Sequence, residues 1–253
     1  MFETVPSGVY GLDEMISGGL PSKRIILILG GPGAGKTILA SQFLYKGLSE
    51  FNENGIMVSL DEGKNHYFSE MNNFGWDFQK AEEENKFRFI DATRLSRVAI
   101  LKEKMMKEET HSLRGKLLSI DKLVEQLQEK IQEIEAKRVV LDTLASLFYR
   151  FTDPIERRTA SQDLIEALSD LGTTTLVTTE LSELGLQTRK LTYEEFMVHG
   201  VIMMQTIFSG GSTVRGLQIV KMRGVSTNSN VVPYTIDRNG IEVYPTMSLF
   251  REG

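Results

Sequence analysis

Apolar residues in this chain fall into short unbroken runs, separated by stretches in which they recur at threes and fours. "RIILIL" (24–29) is fully apolar, the pattern of a strand covered on both faces. "KTILASQFLYKGLSE" (36–50) carries Ile38, Leu39, Phe43, Leu44 and Leu48 on one stripe and predicts a helix. A strand "GIMVSL" (55–60), a helix over "NHYFSEMNNFGW" (65–76) and a strand "FRFIDA" (87–92) follow. The mixed-charge stretch 102–116 has no clean period and reads as a surface loop. Ile120, Leu123, Leu127, Ile131 and Ile134 then predict a helix. Their period lasts only about two heptads, so the helix is expected on a sheet rather than in a coiled coil. "RVVLD" (138–142), "TTTLVTTE" (173–180) and "GVIMMQTIF" (200–208) extend the strand series. "LQIVKM" (217–222), "VVPYTI" (231–236) and "GIEVYP" (240–245), the last two joined through "DRNG", look antiparallel. The order predicts an α/β fold: a mostly parallel sheet flanked by helices, with antiparallel strands at its C-terminal edge. No linker rich in Pro, Gly or Ser divides residues 1–253, which read as a single domain.

Composition narrows the function classes. At 41% apolar and 25% charged residues, the chain can bury a sizeable core. The 34 acidic against 29 basic residues give a net charge of −5, which disfavours a surface built wholly for nucleic acid. The absence of cysteine excludes disulfides, thiolate metal sites and cysteine nucleophiles. "MFETVPSG" is not a secretory signal, and no apolar run approaches the ~18 residues of a membrane helix. A cytoplasmic protein without membrane contact is expected.

"GGPGAGKT" (30–37) satisfies G-x-x-x-x-G-K-[ST] in full, and it leaves an apolar strand to open a helix. Glycines let successive backbone N–H groups curl round phosphate oxygens, and the helix N-terminus adds its positive end. The nucleotide cradle is expected to run through Gly31, Pro32, Gly33, Ala34, Gly35, Lys36, Thr37 and Ile38. Lys36 would neutralise the β- and γ-phosphates, and Thr37 would offer a hydroxyl to Mg²⁺. Asp142 ends the run "VVL" and is the preferred second metal ligand over the other strand-terminal acids, Asp91 and Glu180. No [NT]-K-x-D sequence occurs, so ATP is expected rather than GTP.

"SLDEG" (59–63) sets Asp61 beside Glu62. On a strand two adjacent side chains face opposite ways, and such a pair by itself is most often a solvated turn.

Several stretches together resemble the KaiC family of RecA-fold ATPases. "SGVYGLDEMISGGLP" (7–21) is similar to that family's opening before the P-loop. "VSLDEG", "NFGW" (73–76), "RVVLDTLASL", "EEFMVHGVI" (194–202), "KMRG" (221–224) and "PYTIDRNGIEVYP" continue the series over about residues 5–245. The resemblance implies that Glu62 is the general base for the attacking water and that Asp61 supports it. An acid on the strand beside the P-loop strand would reach the γ-phosphate opposite the leaving group. It implies that Lys221 and Arg223 act across a subunit boundary on the neighbour's γ-phosphate, in a homo-oligomeric ring, commonly a hexamer. It also implies a nucleoside contact near Asn73. Asp61 stands where the family often has Glu, Thr227 where it often has His, and His199 where it usually has Asp. Thr178, Thr179 and Glu180 either sense the γ-phosphate or only finish a strand, and Trp76 is expected in the core.

The function expected is Mg²⁺-dependent ATP hydrolysis coupled to conformational change or signalling through a protein client. A DNA-acting recombinase or repair regulator is the alternative. Its candidate loop, 182–195, mixes Arg189 and Lys190 with Glu183, Glu194 and Glu195, unlike a basic groove for single strands. A non-catalytic nucleotide switch is disfavoured by the full set Lys36, Thr37, Glu62 and Asp142. Autokinase activity lacks an evident acceptor.

Overall fold

The computed structural model describes residues 3–93, 113–148, 151, 153–181, 191–209 and 212–249. A short antiparallel pair, β1 (Thr4–Val5) and β2 (Leu20–Pro21), brackets a one-turn helix α1 (Leu12–Met15). Among the described residues the main sheet has nine strands: β3 (Ile25–Gly30), β4 (Gly55–Ser59), β5 (Phe87–Asp91), β6 (Arg138–Asp142), β7 (Thr174–Glu180), β8 (Gly200–Ser209), β9 (Ser212–Met222), β10 (Val232–Asp237) and β11 (Gly240–Val243). Their lateral order is β11-β10-β9-β8-β3-β7-β6-β4-β5. From β8 to β5 every pairing is parallel, and from β8 to β11 every pairing is antiparallel. The expected fold is therefore the observed one.

Helices cover both faces, as the apolar runs require. Ile26 and Ile28 of β3 enter one core, with α2 (Lys36–Glu50), α3 (Lys64–Asn72) and α4 (Phe78–Glu83). Ile25 and Leu27 enter the other, with α5 (Leu113–Ile134), α6 (Leu144–Phe148) and α7 (Pro154–Asp170). That alternation is the period of two. Ile120, Leu123, Leu127 and Ile134 of α5 are buried on the second core, so the expected sheet-packed helix is present.

Three local expectations need correction. The helix expected over 65–76 ends at Asn72, because Gly75 takes a left-handed φ of 73° and Asp77 caps a separate α4. The loop expected over 102–116 lies outside the described residues up to 112, and 113–116 already belong to α5. "LQIVKM" is only the second half of β9, which forms a long hairpin with β8.

β6 is anchored by a buried charge. The Arg138 side chain is fully buried, and its Nε donates to Glu53 at 2.6 Å and its Nη1 to the Phe43 carbonyl at 2.7 Å. Its guanidinium lies 4.5 Å from the Phe43 ring centroid. A Cβ at Gly47 would sit 2.5 Å from Arg138 Cδ, so α2 needs glycine where it passes. Removing one partner of such a pair strands the other charge. Glu53→Ala is expected to lower the unfolding free energy by about 3 kcal/mol, the low end for a broken buried pair. Urea denaturation checks this; a loss under about 1 kcal/mol would mean that the carbonyl and the rings suffice.

Candidate active site

The P-loop joins β3 to α2. Gly33 and Gly35 hold left-handed φ values of 73° and 88°, which a Cβ resists. At Gly35 a Cβ would also meet Ile236 Cδ1 at 2.6 Å. The loop is braced from β10, where the buried Tyr234 hydroxyl donates to the Ala34 carbonyl at 2.6 Å. Lys36 Nζ donates to the carbonyls of Gly30 at 2.9 Å and Gly31 at 3.1 Å, so its head lies inside the loop. Burial pulls its amine down, while Glu180 and Asp142 push it back up.

Parallel register delivers the second acid. β3 pairs with β7 and β7 with β6, which brings Asp142 to the same end of the sheet as the P-loop. Thr37 Oγ1, on the first turn of α2, donates to Asp142 Oδ2 at 2.8 Å. Thr178 Oγ1 donates to the other oxygen, Oδ1. Burial pushes the Asp142 carboxyl up, and these two hydroxyls pull it back. The next peptide bond, Asp142–Thr143, is cis, and Thr143 Oγ1 donates to the Thr178 carbonyl at 3.1 Å. Asp91, by contrast, is spent on the amide and hydroxyl of Thr93, at 3.0 and 2.6 Å.

Asp61 and Glu62 lie past the end of β4, so strand alternation does not govern them. Nor is β4 beside the P-loop strand, as expected above. It is third from β3, with β7 and β6 between, and it pairs with the strand that ends in Asp142. The acids reach the site because Ser59 and Asp142 are register partners and the Leu60 amide donates to the Asp142 carbonyl at 2.7 Å. The pair divides. Asp61 is exposed and accepts from Ser146 Oγ on α6. Glu62 is half-buried; its amide donates to Ser59 Oγ at 3.1 Å. Burial, then Glu70, pushes its carboxyl above the usual range, against the pull of His66.

Lys221 and Arg223 are not brought to this site. The register β9–β8–β3 sets Lys221 level with Leu27, and Arg223 bonds to His199, which bonds to Ile25. Arg223 is thus at the end of the sheet far from Gly30, and Lys221, level with mid-strand, sends its amine to that same end, onto the Val198 carbonyl. Five residues at about 3.3 Å each put Arg223 roughly 16 Å down the strand direction, beyond its reach. His199 is hydrogen-bonded there: its Nδ1 accepts from the Ile25 amide at 3.3 Å and its Nε2 lies 3.2 Å from Arg24 Nη1. Asn73 is exposed in the turn after α3, and Trp76, buried as expected, stacks on Phe74 and on Tyr45 of α2. Residues 182–190 of the loop considered for DNA lie outside the described residues.

The family model for the KaiC ATPase matches residues 5–248. The chain belongs to the KaiC ATPase family. A UPF0273 protein from Methanocaldococcus jannaschii is 35% identical over 244 residues, covering 95% of this chain and 96% of that one. The circadian clock oscillator protein KaiC of Synechococcus elongatus is 31% identical over 237 residues, but the match spans only 43% of its length. The crystal structure of a KaiC-like protein from Pyrococcus horikoshii aligns with a TM-score of 0.80 at 32% identity, over 97% of this chain and all of that one. The KaiC family is one of ATP-binding ATPases, and this member has its RecA-like fold.

The residues of this KaiC-family chain fit a Mg²⁺–nucleotide. The Thr37 hydroxyl and the Asp142 carboxylate are hard oxygen donors in direct contact at the mouth of the P-loop. Two residues were missed from the sequence. Ser146 sits one turn past the Asp142 strand end, and Tyr234 is 200 residues from the carbonyl it holds. Neither has a local signal. Thr178 shows a hydroxyl committed to Asp142. Thr178→Val deletes one donor to a buried carboxylate, worth roughly 1.5–3 kcal/mol. Calorimetry is expected to show ATP binding with Mg²⁺ weakened about tenfold or more and metal-free binding little changed. Equal weakening in both would mean that Thr178 acts on the loop and not on Asp142.

Proposed function

We propose that this chain hydrolyses ATP with Mg²⁺, in an assembly of copies where Lys221 and Arg223 of one copy complete the site of the next. The observation that carries the first half is the Thr37–Asp142 contact, which joins the phosphate cradle to the strand-end acid. The second half is supported by the position of the cation pair at the opposite end of the sheet, out of reach of its own P-loop. A hexameric ring follows the family's pattern.

When bound, Mg²⁺ supplies charge neutralisation on the β- and γ-phosphate oxygens, with Thr37 and Asp142 holding it. Lys36 exchanges its loop carbonyls for phosphate oxygens. Backbone N–H groups of Gly33 to Thr37 and the α2 N-terminus bind the remaining phosphate charge. Glu62 orients a water molecule and takes its proton. The water oxygen bonds to the γ-phosphorus as the bond to the β–γ bridging oxygen breaks, giving ADP and inorganic phosphate. Asp61, held by Ser146, keeps the loop after β4 in place. Arg223 from the neighbour stabilises the charge that develops on the transferred group.

Glu62→Gln is expected to bind ATP and lose about 10²–10⁴ in turnover, the usual worth of a positioned base. Turnover and assembly mass measured on the same samples test this; equal rates would place water activation elsewhere. Glu62 must be ionised to act, and its carboxyl is raised by burial. Activity should therefore fall as pH drops, with the acid limb of kcat/KM above the usual glutamate range. Arg223→Ala should lower turnover by about 10³ or more while each copy still binds ATP, on the analogy of arginine supplied in trans. Unchanged turnover would sink the shared-site reading.

A further inference from the structure

The short helix α8 (Tyr193–Met197) carries two carboxyl side chains, Glu194 and Glu195, each only 3% exposed. Neither enters the chemistry above. Glu194 Oε1 accepts from Arg157 Nε at 3.3 Å and Nη2 at 3.2 Å, and from Ser161 Oγ at 3.3 Å, which ties α8 to α7. Glu195 Oε1 accepts from the Thr192 amide at 2.9 Å and braces the first turn. A helix of five residues is not stable alone, so these bonds fix where it lies.

The opposite end of α8 holds the cation pair. Lys221 Nζ donates to the carbonyls of Glu195 at 2.9 Å, Phe196 at 3.1 Å and Val198 at 2.7 Å. Arg223 Nη2 donates to the Phe196 carbonyl at 2.9 Å. Two like charges thus converge on one peptide oxygen. Those carbonyls offset their repulsion and restrict an otherwise exposed arginine to few rotamers.

We propose that α8 is the platform that aims the Lys221–Arg223 pair, and that Glu194 is a positioning residue acting through Arg157, Ser161 and the α8 backbone. The proposal rests on the reading that the pair serves a neighbouring copy.

The test mixes two inactive parents. Lys36→Ala chains lack a working P-loop but keep the pair; Arg223→Ala chains keep the P-loop but lack the arginine. Turnover by the mixture comes from Arg223→Ala P-loops completed by Lys36→Ala neighbours. Glu194→Gln, which keeps the shape and removes the buried charge, is then added to one parent at a time, with assembly mass recorded. In the Lys36→Ala parent it is expected to lower kcat about tenfold without changing KM, since a misplacement of about 1 Å can cost up to 10²-fold. In the Arg223→Ala parent it is expected to leave the mixture's turnover unchanged. A fold defect would depress both arms. Arg157→Met, at the other side of the ion pair, should reproduce the asymmetry. Equal loss in both arms, or none in either, overturns the positioning role and leaves the shared site standing. A mixture that never turns over overturns both.

Discussion

The parallel register of β3, β7 and β6 is the constraint on which the site depends. Parallel strands end together, so the P-loop, the strand-end acid and the polar end of β7 emerge at one rim of the sheet without any loop having to carry them there. Thr37 and Asp142 are 105 residues apart in the chain and 2.8 Å apart in space for this reason. The hydrophobic faces that secure the register are the same isoleucines, valines and leucines that make the strands readable. Slippage of β6 by one residue would exchange the side chains it sends into the two cores and carry Asp142 out of line with Thr37. The buried Arg138 at the start of the same strand, locked to Glu53 and passing under Gly47, adds a second brake on such a slip.

How much was legible follows from what each feature depends on. Strands covered on both faces announce themselves locally, because every position must be apolar, and β3, β4 and β6 were read within a residue or so of their ends. Lateral order is different. Nothing in "GIMVSL" says that β4 lies third from the P-loop strand, and the expectation that it lay beside it was wrong. The acids still reach the rim because they ride on the neighbour of β6. The break after Asn72 was visible as a glycine in "NFGW", but the helical period of the residues before it outweighed that signal. The two-residue strands at the N-terminus have no period to read.

Of the candidate site, the sequence named the P-loop and Asp142, and the structure places Thr37 and Asp142 in contact. A P-loop names its own phosphate ligands, since the glycine spacing has a mechanical purpose. Supporting residues do not name themselves: Tyr234 looks like any strand aromatic until its hydroxyl is found on Ala34. The two acids of "SLDEG" looked equivalent in type and separated only through their surroundings, one turned to Ser146 and the other half-buried near Glu70 and His66. Lys221 and Arg223 are two residues apart, a spacing that on a continuous strand gives a shared face. In the structure Arg223 lies beyond the end of β9, and the two meet instead on the carbonyl of Phe196.

The separation of that cation pair from the P-loop has a consequence for counting. If one end of each copy completes the other end of the next, association is head-to-tail, and such a contact either closes on itself or propagates. An open row always has one terminal copy whose cradle faces solvent, so it holds one fewer complete site than it has copies. Closure removes that deficit. Activity per chain would then climb with assembly size and level off when the circle shuts, which makes the rate itself a gauge of whether the circle is whole.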